Sequence, residues 1–561
     1  MPSEKAIGVI LSLASSREAS CQLLESAEKG KITEGMLVLV ESSTKILARV
    51  AQIVPYNAFY TEGDPWSEAR RKGLRIPEEV ARRYEVCKIE LLTELPRNEI
   101  KYPPQPGDSV FKLDPTANLR QIFGVSPDES VSNEGGSHVW YGTLAGYANM
   151  PVPLKIEAIP MHMAVFGTTG SGKSFDTGAL IEELCTIPVR NKAKDNEHVS
   201  YPMIIIDAHG DYTDYVIHAG QGKKLGRIAW IRRYVFPSAH TIEHRGKGSL
   251  VFPLAINLDL LPQREVAEII MLYSKGTIEG AEQQINGIDN LLDWMRDQHS
   301  YQSAHDIFES HLDELITELE SDQFHQATQI SGMTVGAIRR ALEEFRKIED
   351  QLKLLSTKSD LKEKQFIKDL TGSGGIAVVD FSADGAPGID LRTKQLVMTY
   401  VASVVFGQFT EFKVQKQDRY LLFAIEEAQN FAPDRSYPVG SSLAHQKLSA
   451  IATQGRKFGV SVCLISQRPS FVDKIVVSMC NSFFIHRISP EDISFVKNVT
   501  GGLPDSLARR LTNLDRGEMI LAGQMNTVPF PLDIRIPRRD VPHTVGKTAV
   551  VQNLAKLRDV K

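Results

Sequence analysis

Two patterns of hydrophobic and polar positions divide the chain, and they predict two kinds of architecture. Before residue 120, short runs of β-branched and aliphatic residues lie between turn signals, which is typical of a small β-barrel or sandwich. From about residue 151, buried-looking apolar strands alternate with helical patterns, which is typical of a parallel α/β sheet. The strands predicted for the first part are residues 7–13, 36–41, 46–54 and 109–113.

The second part is predicted to be a sheet interrupted by a helical insertion. The predicted strands are residues 162–166, 203–207, 376–381, 420–425, 460–466 and 481–488. Between residues 255 and 368 the pattern is helical with charged faces, and the predicted helices are residues 265–274, 281–298, 303–320 and 335–355.

The expected domain organisation follows these changes of pattern. It is an N-terminal β-barrel (1–120), a linker rich in Pro, Gly, Asn and Ser (121–150), an α/β core in two parts (151–254 and 371–537), an inserted helical bundle (255–370) and a C-terminal tail (538–561).

Composition excludes several classes of protein but selects none. Lys and Arg number 64 against 69 Asp and Glu, so the net charge of −5 neither favours nor excludes DNA as a partner. No run of about 18 apolar residues is present, and the first twenty residues resemble a strand more than a signal peptide, so a cytoplasmic protein is expected. Five widely spaced cysteines indicate neither a zinc site nor a disulfide scaffold.

Two charged stretches are candidate binding surfaces. Residues 66–84 carry many Arg and Lys residues and are predicted to be a solvated helical excursion, with a nucleic-acid or partner surface as the alternative. The stretch from Arg232 and Arg233 to Lys247 is a candidate DNA-facing loop, with an ordinary exposed hairpin as the alternative.

The clearest chemical signal is a phosphate-binding loop (P-loop) after the strand 162–166. Its sequence fits GxxxxGK[ST] at every position, and a helical pattern follows it. Glycines let backbone N–H groups surround phosphates, Lys173 is expected to reach the β- and γ-phosphates, and the Ser174 hydroxyl is expected to bind Mg²⁺. The expected nucleotide-binding residues are Gly167, Thr168, Thr169, Gly170, Ser171, Gly172, Lys173 and Ser174.

A P-loop requires an acidic partner at the end of another strand, and two candidates compete. Asp207 ends one predicted strand, while Glu426 and Glu427 end another. Adjacent carboxylates can divide the work of binding Mg²⁺ and orienting water. We favour Glu426 for the metal and Glu427 for water activation, with Asp207 in a supporting role at the nucleotide.

Two further polar residues flank the strand 460–466. Gln467 follows it and is placed to sense the γ-phosphate. Arg456 precedes it at the end of a helical stretch. This arginine is either a finger that stabilises charge at the γ-phosphate or a cation that interacts with the helix dipole.

Taken together, these blocks make the chain similar to the HerA family of hexameric ATPases, relatives of FtsK-type DNA translocases. The resemblance rests on GTTGSGKS, IIIDAHGDY, IEEAQNF, GRKFGVSVCLISQRP and LDRGEMILAG, and it covers most of the chain. It implies a RecA-like motor core with an inserted helical bundle and a small N-terminal barrel, assembled as a homohexamer that uses ATP and Mg²⁺.

The resemblance also implies roles for individual residues. Glu427 corresponds to the catalytic glutamate, and Arg456 to an arginine that acts near nucleotide at the subunit boundary. Archaeal relatives often have an arginine just before the P-loop strand, where this chain has Met161 and His162. The resemblance leaves open whether His162 or another basic residue replaces it.

Two functions are compatible with these features. The first is an ATP-driven DNA translocase or helicase that works with a partner nuclease or other effector in DNA processing or anti-phage defence. The second is a ring scaffold that assembles and activates an effector, a nuclease or a sirtuin-like NADase. In that case the N-terminal barrel, through exposed strand edges, would be the docking surface and ATP hydrolysis would be regulatory.

Overall fold

The computed structural model describes residues 6–25, 32–60, 66–76, 84–125, 138–191, 194–223, 225–226, 228–243, 250–276, 279–437 and 444–543. These residues form a closed barrel, one large sheet and a two-stranded sheet, with helices on both faces of the large sheet. The fold class expected from the sequence is confirmed. No helix among them is both long and apolar enough to span a membrane.

The N-terminal barrel closes through six antiparallel strands in the order β1-β2-β5-β4-β3-β6. They are β1 (Gly8–Ile10), β2 (Glu18–Leu23), β3 (Leu37–Glu41), β4 (Lys45–Tyr56), β5 (Tyr84–Glu94) and β6 (Ser109–Lys112). The hydrophobic pattern predicts four of them. It does not predict β2 and β5, because charged or polar residues interrupt their apolar positions.

The closure of the barrel corrects one expectation. Strand β1 pairs with β2 on one side and with β6 on the other, so the described strands leave no free edge. The prediction that a partner docks by pairing with an exposed strand edge of the barrel is therefore wrong.

Short helices follow the barrel strands. Helix α1 (Ser67–Arg71) covers only the start of the predicted excursion at 66–84; residues 77–83 lie outside the described residues, and Tyr84 begins β5. Helix α2 is Leu119–Phe123. The linker expected over 121–150 has residues 126–137 outside the described part, and residues 138–144 form a strand of the large sheet.

The large sheet has twelve strands in the order β14-β13-β15-β12-β16-β17-β9-β18-β19-β20-β7-β8. In chain order the strands after the barrel are β7 (His138–Leu144), β8 (Pro151–Lys155), β9 (Met163–Phe166), β10 (Ile187–Asn191), β11 (Lys194–Val199), β12 (Met203–Asp207), β13 (Ile231–Val235), β14 (Val251–Pro253), β15 (Ile376–Asp380), β16 (Leu421–Glu426), β17 (Val460–Ser466), β18 (Ser482–Ile485), β19 (Glu518–Gly523) and β20 (Leu532–Arg535). Strands β10 and β11 form the separate two-stranded sheet.

The sheet is parallel from β14 to β18 and antiparallel beyond. All six strands predicted for the core are present within its parallel part. Their carboxyl ends share one edge, which is where ligands bind in open parallel sheets.

Helices connect the strands and form the insertion. They are α3 (Lys173–Leu184), α4 (Thr213–Gly220), α5 (Pro237–Glu243), α6 (Gln263–Lys275), α7 (Glu282–His299), α8 (Ala304–Ser310), α9 (Leu312–Leu319), α10 (Asp322–Thr328), α11 (Gly332–Leu352), α12 (Phe366–Ser373), α13 (Leu391–Val414), α14 (His445–Phe458), α15 (Lys474–Ser478), α16 (Ile493–Val499) and α17 (Asp505–Arg510). The single helix predicted over 303–320 is two helices, because His311 leaves the helical conformation at φ −124° and ψ 23°.

Side-chain alternation along the parallel strands builds two cores, one on each face of the sheet. In β12, Ile204 and Ile206 join the core that includes the inserted helices, while Met203 and Ile205 join the core that includes the barrel. Strands buried on both faces are nearly continuous in apolar residues, which is why the sequence reveals them.

Candidate functional site

Four neighbouring strands of the parallel sheet end together and carry the candidate site. Strands β12, β16, β17 and β9 lie side by side, so the residues that follow them meet at one edge. The P-loop follows β9, Gln467 follows β17, and the acidic residues end β12 and β16.

The P-loop has the backbone that its glycines allow. Gly170 and Gly172 have left-handed φ values of 76° and 108°, and Lys173 begins α3 directly after Gly172. Gly167 is needed for close packing, because a Cβ atom there would stand 2.5 Å from the Ser171 Oγ atom and 2.8 Å from the His486 Cβ atom. The Thr168 N–H group donates to the Arg487 carbonyl at 2.8 Å, and this hydrogen bond attaches the loop to the segment that follows β18.

Glu426 is fully buried at the end of β16 and lies beside the P-loop helix. The Ser174 Oγ atom lies 3.5 Å from its Oε1 atom, and the Ala208 N–H group donates to its Oε2 atom at 3.2 Å. Burial raises the pKa of Glu426 to about 7, against the opposing effect of the Lys173 charge. A hydroxyl and a carboxylate that meet in this way are the oxygen ligands that suit Mg²⁺, so the site fits the ion.

Glu427 is held by three polar side chains. Its Oε1 atom lies 3.2 Å from His209 Nε2 and accepts a hydrogen bond of 2.6 Å from Gln467 Nε2, while Gln429 Nε2 donates to its Oε2 atom. Burial alone would raise the pKa of Glu427, but these hydrogen bonds and the charge of Lys173 bring it below its ordinary value. The carboxylate is thus kept ionised and fixed in direction.

Gln467 connects this carboxylate to the P-loop. Its amide oxygen accepts a hydrogen bond of 2.5 Å from the Thr169 hydroxyl, while its amide nitrogen donates to Glu427. A displacement of Thr169 would therefore break or move a hydrogen bond of Gln467, the residue that also holds Glu427.

Asp207 has a different set of partners from the other acids. Its Oδ1 atom accepts hydrogen bonds from the N–H groups of His209, Gly210 and Asp211 at 3.2, 2.7 and 3.0 Å, and its Oδ2 atom accepts one from Tyr212 at 3.0 Å. The carboxylate therefore organises the turn after β12, and through that turn it places His209 beside Glu427.

Arg456 does not lie at this edge. It is exposed in the last turn of α14, immediately before β17, whereas Gln467 immediately follows β17. Seven residues of extended strand separate the two positions, which is about 23 Å. The structure therefore places Arg456 at the opposite edge of the sheet from the P-loop of its own chain.

His162 occupies the start of the P-loop strand without supplying a cation. It is buried with a left-handed φ of 61°, and its Nδ1 atom accepts a hydrogen bond of 3.0 Å from the Val462 N–H group. Burial lowers the pKa of His162 to about 4. A neutral imidazole at this position does not replace an arginine.

The candidate DNA-facing loop is contradicted for its first two residues. Arg232 and Arg233 lie in β13, where Arg232 pairs with Asp360 and the nearly buried Arg233 pairs with Asp380. Both guanidinium groups therefore form ion pairs with carboxylates of the same chain. The next part of this stretch belongs to β13 and α5 (Pro237–Glu243), and residues 244–247 lie outside the described residues.

Sequence reasoning missed several residues that support the site. His209 and Gln429 hold Glu427. They lie within the blocks IIIDAHGDY and IEEAQNF, but the sequence indicates a role for neither. The fully buried His486 lies 2.9 Å from Asp176 Oδ2, and the Tyr141 hydroxyl donates to the other oxygen of Asp176. This pair anchors the first turn of α3, and only the order of the strands brings its members together.

Comparisons with known proteins agree with this geometry. Residues 139–405 match the family model described as the central domain of helicase HerA. A probable helicase of Methanocaldococcus jannaschii is 24% identical over 434 residues, which cover 76% of this chain and 71% of that protein. The DNA double-strand break repair helicase HerA of Saccharolobus solfataricus is 23% identical over 540 residues, which cover 94% of this chain and 92% of the relative.

Among solved structures, the chain is similar to VirB4 of Thermoanaerobacter pseudethanolicus. The TM-score is 0.46 at 13% sequence identity, and the match covers 73% of this chain and 99% of that one.

Proposed function

We propose that the chain, whose residues 139–405 match the family model for the central domain of helicase HerA, is a HerA-type P-loop ATPase. In this proposal it is a DNA translocase or helicase whose ATP hydrolysis is performed by the residues at the carboxyl edge of its sheet. The observation that carries this proposal is the hydrogen-bonded series Thr169, Gln467 and Glu427. It connects the loop that receives the phosphates to the carboxylate that would activate water.

Each residue of the edge has a proposed task. The P-loop N–H groups and Lys173 bind the phosphates of ATP, and Ser174 with Glu426 holds Mg²⁺, which neutralises charge that develops on those phosphates. Glu427 orients the attacking water and accepts its proton, and its lowered pKa keeps the carboxylate ionised at neutral pH. Gln467 reports the presence of the γ-phosphate to Glu427.

The position of Arg456 supports assembly as a ring. An arginine exposed at the far edge of the sheet does not reach its own P-loop, but in a head-to-tail ring it can face the nucleotide of the next subunit. We propose a homohexamer in which Arg456 supplies the charge that stabilises hydrolysis in the adjacent subunit.

The test of the proposed function is steady-state ATP hydrolysis by the purified chain and its Glu427→Ala variant, with and without linear duplex DNA. A motor is expected to hydrolyse ATP faster with DNA, and the variant is expected to lose this activity while it still binds ATP. Hydrolysis that DNA does not stimulate, with ring and ATP binding intact, would contradict the DNA motor and favour the effector scaffold.

We also propose that an effector, a nuclease or a sirtuin-like NADase, docks on the barrel. The support is a pair of large apolar side chains exposed on barrel loops, Leu13 at 98% and Tyr102 at 74%. Tagged chain recovered from its source cells is expected to carry such an enzyme, and a Leu13→Ser, Tyr102→Ser variant is expected to lose it. An enzyme that both proteins retain would place the docking surface elsewhere.

A further inference from the structure

The segment after β20, residues 536–543, returns to the P-loop helix and is called here the closing segment. The Ile536 N–H group donates to the Gly517 carbonyl at 2.9 Å. Further along, the N–H groups of Asp540 and Val541 donate to the carboxylate of Glu182 in α3 at 2.6 and 3.2 Å. The closing segment is therefore fixed along α3.

Arg539 forms the centre of this contact. Its side chain is 1% exposed, it lies 3.5 Å from Glu182 Oε1, and its guanidinium stands 4.7 Å from the ring centre of Tyr215. Gly178 leaves the necessary space on α3, since a Cβ atom there would stand 2.7 Å from the Arg539 Cζ atom. The Nη2 atom of Arg539 has no hydrogen-bond partner among the described residues.

The closing segment brings an imidazole to the beginning of α3. The ring of His543 lies edge-on to the ring of Phe175 at 6.4 Å between centres, and its Nδ1 atom lies 3.1 Å from an Arg539 nitrogen. Phe175 directly follows Ser174, and it is only partly buried. An aromatic pair thus stands one residue beyond the P-loop.

A cation approaches the same place from the loop before β19. The Arg516 Cγ atom lies 3.9 Å and the Gly517 nitrogen 3.5 Å from the point where a Cβ atom of Gly172 would stand. Arg516 is exposed, and within the part of the chain that the structure describes it has neither an ion pair nor a hydrogen bond.

We propose that Phe175 and His543 bind the nucleoside of ATP and that Arg516 contacts its phosphates. The inference rests on the proposed binding of ATP at the P-loop. Loop N–H groups and Lys173 hold the outer phosphates, and the start of α3 attracts the remaining one, so the nucleoside emerges beside Phe175. Bases stack on aromatic rings, and a free guanidinium pairs with phosphate oxygens.

The experiment is equilibrium binding of a fluorescent ATP analogue, with competition by unlabelled ATP and by inorganic tripolyphosphate, which has no nucleoside. Phe175→Ala and His543→Ala are each expected to weaken ATP about tenfold while tripolyphosphate binds as to the unsubstituted chain. Arg516→Ala is expected to weaken both ligands about tenfold. Phe175→Trp, which keeps an aromatic face, is expected to retain the affinity for ATP.

Controls separate the possible failures. Tyr102→Ala and Arg71→Ala remove an exposed aromatic ring and an exposed cation between barrel strands, and they are expected to change neither affinity. The nucleoside site would be overturned if Phe175→Ala and His543→Ala bound ATP with unchanged affinity. It would also be overturned if both variants lost as much affinity for tripolyphosphate as for ATP. An unsubstituted chain that binds neither ligand would instead overturn the proposed function.

Discussion

Glu427 has a left-handed backbone conformation, with φ 49° and ψ 49°, that residues other than glycine rarely adopt. Such a conformation costs on the order of 1–3 kcal/mol and persists where surrounding contacts hold it. Here the hydrogen bonds from Gln467 and Gln429 do so. The left-handed turn separates the directions of two adjacent carboxylates: Glu426 faces Ser174, and Glu427 faces Gln467 and His209.

This separation predicts different effects of the same substitution at the two residues. Glu426→Gln is expected to raise the Mg²⁺ concentration for half-maximal ATP hydrolysis about tenfold, because a metal ligand loses its charge. Glu427→Gln is expected to lower kcat about 100-fold or more at an unchanged Mg²⁺ requirement, because the base is removed. Magnesium titrations of both variants measure this, and the opposite pattern would exchange the two roles.

The buried His162 predicts an acid-sensitive contribution to stability. Its folded pKa of about 4 lies below the value of about 6.5 in an unfolded chain. Between these values the unfolded state binds the proton and the folded state does not, so stability falls as the pH decreases from about 6.5. At pH 5 this difference in pKa lowers the free energy of unfolding by about 2 kcal/mol relative to neutral pH.

The variant His162→Asn tests this contribution. The amide oxygen of asparagine can accept the Val462 N–H group without titrating. Thermal unfolding midpoints, each taken relative to the value at pH 8, are expected to fall less steeply toward pH 5 in the variant. Parallel curves for the two proteins would show that His162 does not carry the effect.

At the scale of elements, the sequence predicts the strands that are buried on both faces and misses those that depend on distant partners. Strand β16 is visible because it is an unbroken apolar run. Strand β13 is hidden because Arg232 and Arg233 resemble a solvated loop. Their partners, Asp360 and Asp380, lie more than 120 residues away in the chain, so no local pattern shows that these charges are satisfied within the sheet.

The same reasoning explains which parts of the site could be predicted. The P-loop is a local structure of strand, glycines and helix, and eight consecutive residues indicate it. The contact of Gln467 with both Thr169 and Glu427 depends on β17 lying between β9 and β16. Strand order is not written in any one segment, so the contact of His209 with Glu427 could not be predicted.

Two helical glycines, Gly178 in α3 and Gly407 in α13, are expected to respond differently to the same substitution. Gly178→Ala places a methyl group 2.7 Å from Arg539 Cζ and Tyr215 Oη, and it is expected to destabilise the chain by about 1–3 kcal/mol as the closing segment shifts. Gly407→Ala in α13 meets nothing within 4 Å, so it is expected to be neutral or to stabilise by up to about 1 kcal/mol. Thermal unfolding of both variants measures the difference, and a stable Gly178→Ala variant would contradict the tight contact.

At the scale of the whole molecule, the buried Arg49 and the partly buried Arg510 fasten the barrel to the large sheet. Arg49 in β4 is 1% exposed and donates to the Pro531 carbonyl beside β20. Arg510 at the end of α17 pairs with the fully buried Asp533 at 2.7 Å and donates to the Glu34 carbonyl of the barrel. The loop that follows α17 carries Arg516 to the P-loop, so the segment from Arg510 to Arg516 contacts both the barrel and the P-loop.

The opposite placement of Arg456 and Glu427 underlies the proposal that hydrolysis requires two neighbouring subunits. If so, Arg456→Ala and Glu427→Gln each abolish hydrolysis in a uniform ring. A mixed ring, however, contains interfaces at which the first variant supplies an intact Glu427 and the second supplies an intact Arg456. Random assembly from equal amounts gives such interfaces with a probability of one half times one half.

Mixed rings are therefore expected to recover up to about a quarter of the unsubstituted ATPase rate after the subunits are dissociated together and reassembled. Rings assembled separately and then combined without exchange are the control and are expected to stay inactive. An arginine that acted on its own P-loop would give no recovery in either mixture, because each chain would keep its own defect. Recovery in the mixed rings alone thus requires Arg456 and Glu427 to meet across a subunit boundary, as their separation by the length of β17 implies.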